Sequence, residues 1–126
     1  MSGASDGGGA VRLLLRSPDL LIASRLAGTP GVAVTTDPTA GPFDLVVVDL
    51  SAPGAAGDLV TAARSLAAAH GAAGQGSAAV VAFGPHVARD RLADAAAAGA
   101  DDVVSRGELL GNLPALVARW RGKSAR

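Results

Sequence analysis

Few residues in this 126-residue chain are placed to do chemistry. Asp49 closes the apolar run Asp44 to Asp49 (DLVVVD) and opens Asp49-Leu50-Ser51-Ala52-Pro53-Gly54-Ala55-Ala56-Gly57, with proline four and glycine eight residues later. A carboxylate in that position can accept a transferred group, pair with a cation in the interior, or face solvent at the strand end. Other groups offer less. His70 and His86 are isolated, without the neighbouring carboxylates of a metal site or a nearby serine or cysteine to activate. His70 is expected at a helix C-terminus, where partial positive charge is favourable, and His86 in a Gly-Pro loop. The absence of cysteine excludes disulfides, thiol chemistry and thiolate zinc sites. Gly7-Gly8-Gly9 and Gly71 to Gly76 precede strands rather than follow them, so neither cradles phosphate at a helix N-terminus. Phe43, Phe83 and Trp120, the only aromatics, sit in apolar contexts and read as core or interface, not as a stacking platform for nucleic acid.

The elements that must position Asp49 follow from hydrophobic patterning. Three runs of branched aliphatics, Val11 to Leu15, Asp44 to Asp49 and Ala79 to Phe83, are nearly continuous, the pattern of parallel strands buried on both faces. Gly31 to Thr36 and Asp102 to Val104 complete a set of five. Helices are expected between most of them. Ser17-Pro18-Asp19 reads as an N-cap, a first-turn proline and a first-turn acid, opening a helix that Gly28 closes. Gly57-Asp58 opens a second, with Leu59, Val60, Ala63, Leu66 and Ala67 on one face. Ala88 to Ala98, closed by Gly99, is a third; Asn112 caps a fourth with the stripe Leu113, Leu116, Val117 and Trp120. Between the second and third strands lie only Asp37 to Phe43, including Pro38, Gly41 and Pro42. Seven extended residues reach at most about 24 Å, just enough to recross a strand and step two strand spacings sideways, so either an extended strap replaces the expected crossover helix or the second strand pairs differently.

Composition bounds the remainder. With 49% apolar and 17% charged residues and a mean hydropathy of +0.36, the chain folds around one core. Eleven basic residues cancel eleven acidic ones, so no global field attracts nucleic acid or an acidic membrane surface. Apolar runs are strand-sized, far below the ~20 residues of a membrane span. Residues 1–10 carry neither the basic nor the apolar region of a secretory signal, which favours the cytoplasm. The chain thus divides into a flexible N-terminal tail (1–10), one domain (11–121) and a basic C-terminal tail (122–126).

The stretch beginning at Asp49 resembles the receiver domain of bacterial response regulators, in which that aspartate accepts a phosphoryl group from a histidine kinase. Ala98-Gly99-Ala100-Asp101-Asp102-Val103-Val104-Ser105 is similar to the receiver's AGADDYV segment before its fifth strand. The resemblance covers roughly residues 11 to 121 and implies a flavodoxin-like doubly wound α/β fold, strand order 2-1-3-4-5. It also implies a crevice at the strand ends formed by Arg16, Ser17, Asp49, Gly84 and Arg106. Receivers place a Mg²⁺-binding acidic pair after the first strand, where this chain has Arg16-Ser17. They place a hydroxyl residue after the fourth, where Gly84 stands, and a lysine after the fifth, where Arg106 keeps the charge.

The departures lead to a degenerate, stand-alone pseudo-receiver: a non-enzymatic bacterial signalling module, independent of phosphorylation, without cofactor. A phosphoacceptor in a two-component phosphorelay, using Asp49 and Mg²⁺, is the alternative. Asp49 is expected to be an interior ion-pair partner of Arg16 or Arg106. Asp19 reads as favouring its helix dipole rather than as a metal ligand, and Asp101-Asp102 as a solvated turn. Partners are expected to be proteins, a histidine kinase, a downstream signalling protein or a second copy, with no nucleic acid and no membrane. The expected interface is the face of the last two helices and fifth strand, with Arg89, Arg91, Asp94, Arg119 and Trp120. Core completion is the alternative for Trp120.

Overall fold

In the computed structural model, which describes residues 10–71 and 78–124, the aliphatic runs form a five-stranded parallel sheet in the order β2-β1-β3-β4-β5. The strands are β1 (Val11–Arg16), β2 (Val32–Thr35), β3 (Leu45–Asp49), β4 (Ala79–Gly84) and β5 (Asp102–Ser105). The helices are α1 (Leu20–Ala27), α2 (Ala56–Ala69), α3 (Arg89–Ala97), α4 (Arg106–Gly111) and α5 (Leu113–Ser124). β3 is buried along its whole length, as a central parallel strand must be. Alternate strand residues pack on opposite faces. Leu13, Leu15, Val47, Val81, Phe83 and Val104 meet α1, α4 and α5 on one face, where Trp120 is fully buried. Leu14, Val46, Val48, Val80 and Ala82 meet α2 and α3 on the other, mainly through Ala56, Val60, Ala63, Ala67 and Ala95.

The link from β2 to β3 contains no α-helix, as its length and prolines require. It is an ordered strap. Asp37 accepts from the Thr39 amide at 2.9 Å and hydroxyl at 2.7 Å, and the Thr39 hydroxyl holds the Asp37 carboxyl below its ordinary range. The far end packs on α2's C-terminus: the Phe43 amide donates to the His70 carbonyl at 2.7 Å. A Cβ on Gly41 would lie only 2.7 Å from the His70 Cβ.

Several boundaries differ from the sequence reading. Ser17 does not cap α1; Asp19 does, accepting from the Leu21 amide at 2.9 Å. α4 was not expected, because six residues with glycine at positions 107 and 111 carry no helical periodicity. Its signature is a cap: Ser105 Oγ accepts from the Glu108 amide at 3.0 Å, and the S-x-x-E spacing is visible in the sequence. Asn112 closes α4 while its carbonyl accepts the first bond of α5, from the Leu116 amide. α5 runs to Ser124, three residues into the stretch read as a basic tail. Gly99 ends α3 as expected, at φ +102°, which a side chain would disfavour. The N-terminal tail at 1–9 and most of the loop Gly71 to Gly76 lie outside the described residues.

Candidate functional site

Parallel strands end together, so their carboxyl ends form one rim, and strand order reverses there between β1 and β3. Asp49 ends β3 opposite Phe83, and Arg16 ends β1 opposite Val48. The Asp49 side chain points into the crevice and is only 1% exposed. A buried carboxylate needs donors. It has three: Ser17 Oγ donates to Oδ2 at 2.6 Å, and Ser51 donates to Oδ1 through its hydroxyl at 2.5 Å and its amide at 2.9 Å.

The expected ion pair is therefore absent. Arg16 is exposed, and its guanidinium makes no hydrogen bond or ion pair with any described residue. At the last position of β1 its long side chain keeps its hydration in solvent, while two short hydroxyls satisfy Asp49 without desolvating a cation. Ser51 escaped the sequence reading, although a hydroxyl two residues after a carboxylate is a recurrent local partner. Ser17 was placed in the crevice, but as a cap.

Arg106 also pairs elsewhere. Its Nη2 donates to Asp19 Oδ2 at 2.5 Å, and this bond, ahead of opposing desolvation, holds the Asp19 carboxyl below its ordinary value. The Asp19 amide in turn donates to Ser17 Oγ at 3.0 Å. A relay thus runs from Arg106 through Asp19 and Ser17 to Asp49. Gly84 is buried in β4, and a Cβ there would meet the Leu50 Cβ at 3.3 Å, so this position has neither the receiver's hydroxyl nor ready space for one.

These residues do not fit a Mg²⁺ site of the receiver type. Arg16 occupies one acidic position, the Ser17 hydroxyl is turned to Asp49, and both Asp19 oxygens already accept hydrogen bonds. Among the described residues no three of His, Cys, Asp and Glu converge to hold an ion.

Three of the five residues expected at an interface, Trp120, Arg119 and Arg91, make contacts within the chain. Trp120 is 0% exposed and its indole N–H donates to Asp102 Oδ2 at 2.8 Å; it completes the core because it is the largest group available to fill the α5 face. Arg119 pairs with the same carboxylate. Burial alone would raise the Asp102 carboxyl, but bonds from Trp120 and Arg119 outweigh it and hold it low. Asp101 accepts from the Val80 amide at 2.8 Å. The pair Asp101-Asp102 is thus a structural clasp on β4 and α5, not a merely solvated turn. Arg91 turns inward: Nε donates to the Leu50 carbonyl at 2.7 Å and Nη2 to the Gly54 carbonyl at 2.9 Å, fastening the loop after Asp49 to α3. Arg89 and Asp94 remain exposed on α3.

Solved structures that share this arrangement of strands and helices include response regulators and receiver domains. A response regulator from Thermotoga maritima superposes with a TM-score of 0.69 at 15% identity, over 90% of this chain and 99% of that one. The chain has the receiver fold. The receiver domain of a Pseudomonas aeruginosa sensor histidine kinase, solved with magnesium in its active-site cleft, matches with a TM-score of 0.62 at 15% identity over 90% and 99% of the two chains. An orphan response regulator of H. pylori matches with a TM-score of 0.61 at 20% identity over 94% and 98%. No family model and no curated protein matches the sequence. Within the receiver fold, Asp49 stands at the strand end where the sequence resemblance sets the phosphoacceptor. Among the described residues, no helix is long and apolar enough to cross a membrane.

Proposed function

We propose that the chain is a receiver-like signalling module that acts by contact with protein partners and whose state does not depend on phosphorylation. The observation that carries this is the occupation of Asp49. Its carboxylate is buried and already bonded by Ser17 and Ser51, while Arg16 stands where a metal ligand would be needed to neutralise an incoming phosphoryl group. In this reading the protein is not an enzyme, needs no cofactor and works in a bacterial cytoplasm.

The partner surface we assign is the rim around the crevice. Leu20 and Leu21 follow β1 and are 84% and 53% exposed, and Val87 follows β4 at 76%. Apolar side chains exposed at that end of the sheet offer contact area to a protein partner. The partner is a kinase, a downstream signalling protein or a second copy.

The alternative is a phosphoacceptor in a two-component phosphorelay. It is favoured by the place of Asp49 in the crevice and by the Arg106 cation held nearby by Asp19. Incubation with acetyl phosphate and Mg²⁺ followed by intact-mass measurement separates the two. We expect no adduct; a phosphoryl adduct lost in Asp49→Asn would establish the alternative.

A further inference from the structure

The extended strap between β2 and β3 leaves space on the α2 face of the sheet that a crossover helix would otherwise fill. At the carboxyl end this space is a cavity of about 350 Å³, bordered by the ends of β1 and β3, the start of the strap and one side of α2. Val48, Leu59 and Leu66 make its walls apolar, and Arg16 and Ser17 stand at its edge. Its volume is that of small-ligand sites, and it lies at the β1–β3 switch point, where open α/β sheets hold their ligands. The Arg16 guanidinium is a positive charge beside these walls that no described residue neutralises.

We propose that this cavity binds a small amphiphilic anion, a carboxylate or phosphate ester whose apolar body packs against Leu59 and Leu66 and whose charge pairs with Arg16. The site goes beyond the signalling role above and does not depend on whether Asp49 is phosphorylated. Because Ser17 borders the cavity and also donates to Asp49, an occupant touches the relay that ends at the buried carboxylate.

Titration of the ¹⁵N-labelled full chain with octanoate and with 1-naphthyl phosphate tests the proposal and distinguishes a chain-like from a ring-like body. Saturable shifts are expected at Arg16, Ser17, Val48 and along Leu59 to Leu66 with at least one probe. Acetate, inorganic phosphate and octanol, each lacking half of the chemistry, should bind at least about ten-fold more weakly. Arg16→Gln, a change at an exposed position, should weaken binding about ten-fold, the worth of one charge-assisted hydrogen bond. Ala62→Leu should abolish it by filling the cavity, with α2 intact because leucine is a good helix former. Absence of saturable shifts with both probes would overturn the proposal. So would binding that both variants leave unchanged, or octanol binding as tightly as octanoate.

Discussion

On one face of the sheet α1, α4 and α5 bury Trp120 together with leucines and valines; on the other, α2 and α3 approach through alanines, and a strap stands in for a crossover helix. The first face is sealed by volume and by a satisfied polar clasp at Asp102. The second is sealed by close approach of small side chains, as where Gly57 of α2 lies against Ala98, and it remains open beside β1. The difference shows why the charges behave as they do. Where helices cover the sheet, on either face, arginines find carboxylates or carbonyls; beside the strap, where no helix stands, Arg16 extends into solvent.

Trp120→Ala should break the contrast most severely. Removing this side chain should destabilise the fold by about 3 to 5 kcal/mol, measured by urea denaturation with far-UV circular dichroism, because the protein's only tryptophan is the residue lost. A loss under about 1 kcal/mol with altered association would return Trp120 to an interface. Asp49→Ala strands the donors of Ser17 and Ser51 at the junction of the faces, and should cost about 1 to 2 kcal/mol in the same assay. Arg91→Ala should cost about 1 kcal/mol, since the side chain is only partly buried, and should speed amide exchange in Leu50 to Gly54 selectively.

The pH response sharpens the same comparison. The folded carboxyl of Asp102 lies below its ordinary value of 3.8, so its contribution is complete above that value and is lost as pH falls through the folded value. Partial exposure keeps the contribution under about 1 kcal/mol. Asp19 and Asp37 titrate in the same direction, so the Asp102 share is the difference between wild type and Asp102→Asn in stability between pH 6 and pH 3. The smallest effect is expected on the open side. Arg16→Ala should change stability by less than about 0.5 kcal/mol, and a loss near 3 kcal/mol would mean that Arg16 pairs with Asp49 after all.

What could be read from the sequence tracks what is local. Continuous aliphatic runs mark β1, β3 and β4 because strands buried on both faces leave no polar alternation. Asp37 to Phe43 excludes a helix by length and proline alone. The stripe Leu113, Leu116, Val117 and Trp120 locates the buried face of α5, but which neighbour the indole would meet depended on Asp102, outside that helix. Pairings at the site were not legible. Asp49 chooses Ser17 across 32 residues, Arg106 chooses Asp19 across 87, and Arg91 reaches Leu50 across 41, each decided by strand order and stagger rather than by a repeat. Ser17 of the crevice implied by the resemblance does meet Asp49, yet the choice of hydroxyl over guanidinium for Asp49 is a matter of desolvation, which spacing does not record.

Arg91 gives the molecule a mechanical linkage. Its guanidinium grips the carbonyls of Leu50 and Gly54 from α3, so the loop that begins beside Asp49 is coupled to that helix like a tie-rod to a wheel. A displacement of the loop must steer the first turn of α3 or release the grip. A partner clamping Arg89, Asp90 and Asp94 on the outer surface would, by the reciprocity of linked equilibria, stiffen the backbone on which the buried carboxylate rests.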